Sequence, residues 1–326
     1  MPPDAGWQVS PAFQPDPTDY DYDLDTALSA VVSLKSTVPE DAFTAGILGT
    51  ERAGCGVLIE RSGLVLTIGY LITEAETIWL GLSDGRTVPG HALGYDQATG
   101  FGLVQALARI DAPALRLGSA RDLGVGSSVV IGGAGGRQHA TAATVVARQP
   151  FAGYWEYLID EAVFTAPAHP FWGGAAMIGP KGDLCGIASL RLDQSENGEG
   201  GGDQLNMVVP IDLLSPVIDD LRTIGQPRGP ARPWLGVYAV EVDGRVMVAG
   251  VAEDAPAELA GLAAGDAILA VKHEEVASLA EFYRAVWALG EAGVEVPLTI
   301  FRDGESAEIA IESTDRNSLL KTPRLH

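Results

Sequence analysis

The chain has 326 residues, and its 21 basic against 43 acidic side chains give a net charge of −22, a balance that opposes binding to nucleic acid or an anionic membrane. That length allows two or three domains, and 47% hydrophobic residues with 40 glycines and 20 prolines describe a turn-rich globular protein rather than a disordered or fibrous one. Two cysteines, Cys55 and Cys185, fit buried thiols better than a disulfide framework and are too few for an all-cysteine zinc site, so neither cofactor nor metal is expected.

Residues 1–27 form an N-terminal arm, including "PAFQPDPTDYDYDLD", with no periodicity; it reads as extended or disordered. No basic segment followed by an apolar run opens the chain and no stretch approaches 18 apolar residues, so the expectation is a cytoplasmic protein with no membrane span. Residues 28–224 alternate short apolar runs with turn signals: "ALSAVVSL", "GVLIE", "LVLTIGYLI", "TIWLGL", "FGLVQAL", "SSVVIGG", "GIASL". Their β-branched content predicts a mainly β fold, a barrel or sandwich, rather than alternating βα units. The GGAGG run at 132–136 lacks phosphate-loop spacing and is read as a turn. "DQSENGEGGGDQ", 193–204, is read as an exposed mobile loop, and "NMVVPIDLLSPVIDDLRTIG" as a strand and then a helix. Residues 225–233 make a proline-rich linker. A second block, 234–313, has strands at "WLGVYAV", "RVMVAGV", "DAILAVK", "VPLTIFR" and "SAEIAIES" and a helix in "SLAEFYRAVWALGEAG", a small α+β module followed by a tail, 314–326.

"WLGV", "DAPAELAGLAAGDAILAV" and the later helix with its closing strand pair resemble a PDZ domain of the kind found in HtrA-type proteases. In such domains a peptide C-terminus adds to a sheet edge and its carboxylate meets backbone amides of the preceding loop. The resemblance puts that loop at Leu235, Gly236 and Val237 and the side-chain pocket at Phe282 and Val286; the plainer alternative is that "WLGV" is only a first buried strand. The β-rich region in turn resembles the trypsin-like double β-barrel that precedes the PDZ domain in HtrA/Deg-type proteins, through "AGCGVLIERSGLVLTIGYLI", "YDQATGFGLVQAL", "APAHPFWGGAAMIGPKGDLCGIASL" and "NMVVPIDLL".

The same resemblance aligns the three triad positions with Tyr70 (base), Gly100 (orienting aspartate) and Trp172 (nucleophile). Peptide hydrolysis by this fold needs an oxygen nucleophile, a base near neutrality and a group that orients the base. Trp172 offers no nucleophile, a tyrosine with an ordinary pKa of ~10 is a poor base, and Gly100 has no side chain. His169 and Asp96 make a relocated dyad conceivable, but an ordinary loop-fixing histidine is the better reading of His169, and Ser189 is read as structural. Tyr70, Phe171 and Trp172 either plug the former cleft or line an aromatic surface for a partner peptide; plugging is favoured. The resulting expectation is a non-catalytic HtrA-like scaffold or adaptor that binds protein or peptide C-termini through its PDZ domain, with a role in protein quality control. The alternative is a serine-type endopeptidase whose catalytic group has moved or is misplaced by this alignment. The resemblance also implies a homo-oligomer, a trimer first, with Trp7, Phe13, Tyr20 and Tyr22 of the arm available for assembly.

Overall fold

A computed structural model describes residues 7–193 and 204–321, and the chain divides into two units. The first unit comprises residues 1–149, 161–228 and 321–326. Its first closed barrel is built from β1 (Val31–Thr37), β2 (Glu51–Glu60), β3 (Leu64–Ile68), β4 (Thr77–Gly81), β5 (Thr87–Tyr95) and β6 (Phe101–Ala106), in the order β1-β2-β3-β6-β5-β4. Strand β3, which pairs through Leu66 with Val57 in β2 and through Ile68 with Phe101 in β6, is buried at all five positions, so both of its faces are covered. This is why "LVLTI" reads as a continuous apolar run with no polar alternation.

The second closed barrel comprises β7 (Ser128–Gly132), β8 (Ala140–Gly153), β9 (Tyr157–Ala166), β10 (Ala176–Ile178), β11 (Leu184–Asp193) and β12 (Gln204–Pro210), in the order β10-β11-β12-β9-β8-β7. The expected glycine-rich turn follows β7, with Gly135 and Gly136 at φ 117° and 76°. The run "ALSAVVSL" is not one strand. Asp23 accepts the Thr26 amide at 3.0 Å and caps helix α1 (Leu24–Ser29), so the local capping bond takes the first residues and β1 starts at Val31. The remaining helices of this unit are α2 (Ala45–Leu48) and α3 (Ile218–Thr223). From Trp7 onward the arm is structured: Val9 is buried and its amide donates to Gln138 O at 2.8 Å. The loop read at 193–204 lies outside the described residues except at its two ends.

The second unit comprises residues 150–160 and 229–320. Its sheet runs β13 (Val237–Val242), β14 (Arg245–Val251), β15 (Ala267–Val271), β17 (Glu295–Arg302), β18 (Glu305–Glu312), with β16 (Glu274–Glu275) paired to β15. Helix α4 (Pro256–Leu259) starts on a proline at its first turn, where the missing N–H has no partner to lose. Helix α5 (Leu279–Ala288) starts in a capping box, Ser278 accepting the Glu281 amide and Glu281 the Ala277 amide. It stops ahead of the expected end, before Gly290 at φ 146°. Leu279, Phe282, Tyr283 and Val286 recur at helical spacing and are buried in one apolar cluster with Leu235, Val237 and Leu298. The carboxylate of Asp266 accepts the Ala263 amide and the Arg302 guanidinium, closing the turn before β15. Residues 150–160, the tip joining β8 and β9, belong to this unit, whereas the division by sequence assigns them to the barrel region.

Candidate functional site

In the first unit, Tyr70 stands in the short turn Gly69–Leu71 at the end of β3. Buried Arg52 holds this turn, donating to the carbonyls of Tyr70 and Thr73, each at 2.9 Å. The Tyr70 hydroxyl donates to the Ser189 carbonyl at 2.8 Å and accepts the Trp172 indole N–H. Burial holds this phenol well above its usual range, so it does not serve as a base near neutrality. Gly100, at φ 81°, contributes only backbone, its carbonyl accepting the Gly69 amide at 2.6 Å.

The loop Phe171–Gly174 keeps a tight backbone around these side chains. The Cys55 amide donates to Gly173 O at 2.7 Å and the Gly174 amide to Ala188 O at 2.9 Å. A Cβ at Gly174, φ 78°, would lie 1.9 Å from the Cys55 carbonyl oxygen, and one at Gly173 would lie 2.9 Å from the Tyr70 hydroxyl. Only glycine fits at Gly174 without movement. Tyr70, Phe171 and Trp172 stand around one cleft of about 260 Å³ together with Trp7, Cys55, His139 and His169. They narrow it without filling it. Trp7 packs edge-on against Phe171 at 4.4 Å, and Arg191 lies 5.0 Å over the Trp172 ring.

The groups weighed as stand-ins do not assemble. Fully buried His169 has both ring nitrogens engaged, Nε2 donating to His139 O at 2.9 Å and Nδ1 accepting the Phe171 amide at 3.1 Å, and burial lowers its pKa. Asp96 caps its own turn, accepting the Ala98 amide and the Thr99 hydroxyl. The Cys55 thiol, pushed up to about 11 by burial, is protonated at neutral pH and is a poor nucleophile there. Among the described residues no group of three or more His, Cys, Asp or Glu side chains is placed to hold a metal ion.

In the second unit, Leu235, Gly236 and Val237 form a loop with Gly236 in the left-handed conformation at φ 81°. Their amides all point at one side chain, Glu156. Its carboxylate accepts Gly236 N at 2.7 Å, Val237 N at 3.0 Å and Leu235 N at 3.1 Å. Burial outweighs these three bonds and raises the Glu156 pKa to about 7. Phe282 and Val286 are fully buried in an apolar cluster that also contains Leu158 of the same tip. Glu156, Leu158 and Tyr283 were invisible as site residues in the sequence: the aromatic run "GYWEYL" has no spacing that links it to a loop some 80 residues later.

Two closed six-stranded barrels followed by a PDZ-type sheet define a trypsin-like peptidase fold with a C-terminal PDZ domain. Family comparison agrees: residues 54–187 match the trypsin-like peptidase domain and residues 233–312 the PDZ domain. The chain is of the HtrA/DegP type, with that peptidase domain and C-terminal PDZ domain. It is 28% identical over 278 residues to a Pseudomonas fluorescens protein named "Probable periplasmic serine endoprotease DegP-like", covering 80% of this chain and 56% of that one. A Pseudomonas fulva protein of the same name is 27% identical, with 84% and 59% covered. The chain thus spans little more than half the length of these curated relatives. Among solved structures, the HtrA-type protease AlgW with a decapeptide shares the fold at 21% identity and TM-score 0.53, covering 92% of this chain and 98% of that one. A serine endoprotease from Yersinia pestis does so at 23% and 0.51, covering 89% and 95%. The expectation of a cytoplasmic location is corrected here, since these relatives are named periplasmic. No helix among the described residues is long and apolar enough to cross a membrane.

Proposed function

We propose that this chain is a non-catalytic HtrA-type protein of the periplasm that works as a peptide- or protein-binding scaffold through its PDZ domain, in protein quality control. The observation that carries the reading is the Tyr70–Trp172 hydrogen bond: the two side chains aligned with base and nucleophile are engaged with each other and with Ser189 O, and neither supplies an oxygen nucleophile activated by a base. Gly100 at the third position adds no orienting group, and His169, Asp96 and Cys55 are each committed or protonated as described above. Capture of a peptide carboxylate is supported by the convergent amides of Leu235, Gly236 and Val237 next to an apolar cluster holding Phe282 and Val286.

A second reading, a serine-type endopeptidase, is favoured by the names of the relatives. Incubation of the full chain with labelled casein and with a serine-reactive fluorophosphonate separates the two. Casein turnover at the level of buffer and no labelled serine are expected; one stoichiometrically labelled serine with loss of cleavage would establish the endopeptidase instead. Assembly through the arm, as a homo-oligomer with a trimer first, is tested by sedimentation of the full chain across concentration.

A further inference from the structure

We propose that residues 153–158 are an internal ligand of the PDZ groove, with the Glu156 side-chain carboxylate standing where a peptide's terminal carboxylate would bind, so that a partner must displace this tip to enter. The inference rests on the peptide-binding reading above and adds its regulation.

Four independent contacts mimic a bound peptide. Three successive amides, Leu235, Gly236 and Val237, donate to one carboxylate. The Ala239 amide, on edge strand β13, donates to the Tyr154 carbonyl at 2.9 Å, the bond an added strand would make two residues before its terminus. The Tyr283 hydroxyl, from α5, donates to the Gly153 carbonyl at 2.8 Å and accepts the Glu156 amide at 3.3 Å. Leu158 joins the apolar cluster of Val237, Phe282 and Val286. Outside the groove, Asp160 pairs with Arg284 of the same helix.

Backbone strain accompanies the contact. Glu156 has φ 60°, in the left-handed region that a long non-glycine side chain rarely occupies. A strained residue persists where surrounding bonds hold it, and here those bonds are the carboxylate contacts and the Tyr283 hydroxyl. The buried carboxyl is raised to about 7, so its docking also includes a desolvation cost that leaves it displaceable. A partner carrying its own terminal carboxylate replaces the lost bonds one for one, and its apparent affinity is the intrinsic affinity reduced by the fraction of open groove.

The test has two arms on the full chain. In the first, amide exchange of Leu235, Gly236 and Val237 is followed with no ligand present; Glu156→Ala should speed it about tenfold or more. Glu156→Gln, which keeps an acceptor and the side-chain length, should give a smaller increase and guards against a variant that does not fold. Unchanged exchange in both variants overturns the internal ligand. In the second, fluorescein-labelled Gln-Pro-Phe-Ala-Gly-Tyr-Trp-Leu, the chain's own run with a terminal leucine in place of Glu156, is titrated with free carboxylate and as its amide. Glu156→Ala should bind the free acid about tenfold or more tighter than the unaltered chain, and the amide weakly in both. Equal affinity for the free acid in both proteins overturns the proposal while leaving the peptide-binding reading intact. Accelerated exchange in the first arm, with no binding of the free acid or of an arrayed set of free-carboxylate peptides by either protein, supports the occupancy and overturns the peptide-binding reading and with it displacement.

Discussion

The barrel cleft and the Leu235–Val237 loop are held in opposite ways. Around Tyr70 and Trp172 the backbone is fixed, with Gly173 and Gly174 fitted against Tyr70 and Cys55, and the side chains bond to one another and to the Ser189 carbonyl. In the PDZ domain the amides of Leu235, Gly236 and Val237 are satisfied from within the unit by Glu156. Under the proposed function the first arrangement offers no chemistry for a ligand to restore, whereas the second, under the proposal of an internal ligand, is a site that a competitor reopens.

The comparison is broken most strongly at Gly174. Gly174→Ala puts a Cβ against the Cys55 carbonyl in a left-handed backbone, and a loss of roughly 3 kcal/mol or more is expected, seen as a collapse of the first unit's denaturant midpoint. Native stability of that variant would show that the loop backbone is not the fixed frame described here.

The groove is probed next, through pH. Glu156 is faced by Tyr283 from α5, Tyr238 from β13 and Arg316 from the turn Arg316–Leu319, and burial pushes both phenols above their usual range, leaving Glu156 as the carboxyl that titrates near neutrality. Its docked pKa is raised from 4.5 to about 7, so the docked form holds a proton that the released form gives up. The stabilisation is complete below about pH 4.5 and is lost as pH rises through about 7, a change on the order of 3 kcal/mol. Exchange of the Gly236 amide should therefore accelerate above pH 7 by more than its intrinsic base catalysis, and this excess should vanish in Glu156→Gln. A purely intrinsic profile would remove the carboxyl from the account.

A smaller effect sharpens the cleft side. Tyr70→Phe leaves the Ser189 carbonyl without its donor and the Trp172 indole without its acceptor, at a cost of about 1–2 kcal/mol. For a unit of this size that is about 3–6 °C of thermal midpoint. The smallest change is expected from Arg191→Ala, whose exposed guanidinium over Trp172 contributes about 0.5–1 kcal/mol, at the limit of a careful melting comparison. If Arg191→Ala cost more than Tyr70→Phe, the Tyr70–Trp172 hydrogen bond would not be what organises the cleft.

Much of this was legible in the sequence because it is local. "LVLTIGYLI" announced a buried strand ending in a turn, and the glycine and proline of "DAPAELAGLAAGD" fixed the turns of the PDZ module. The aromatic group at the cleft was also legible, although Trp7 joined it from an arm with no periodic signal. The long hairpin of β8 and β9 went unread, since "ATVVARQPFAGYWEYLIDEAVF" mixes charged, aromatic and β-branched residues without clean alternation. Its tip, residues 150–160, belongs to the second unit, where the Tyr154 carbonyl accepts the Ala239 amide and Glu156 accepts the Gly236 amide.

Side-chain identity and short-range pattern thus determined the mainly β architecture and the PDZ module, and they carried the expectation that Tyr70, Gly100 and Trp172 stand at the triad positions. Tertiary structure alone decided that Tyr70 and Trp172 bond to each other, which partners engage the two ring nitrogens of His169, and that Glu156 accepts the amides of Leu235, Gly236 and Val237. The physical reason is distance along the chain. Apart from the Phe171 amide on His169, each of these contacts joins segments tens of residues apart, brought within hydrogen-bonding reach only when strand register and hairpin length are set by the whole fold.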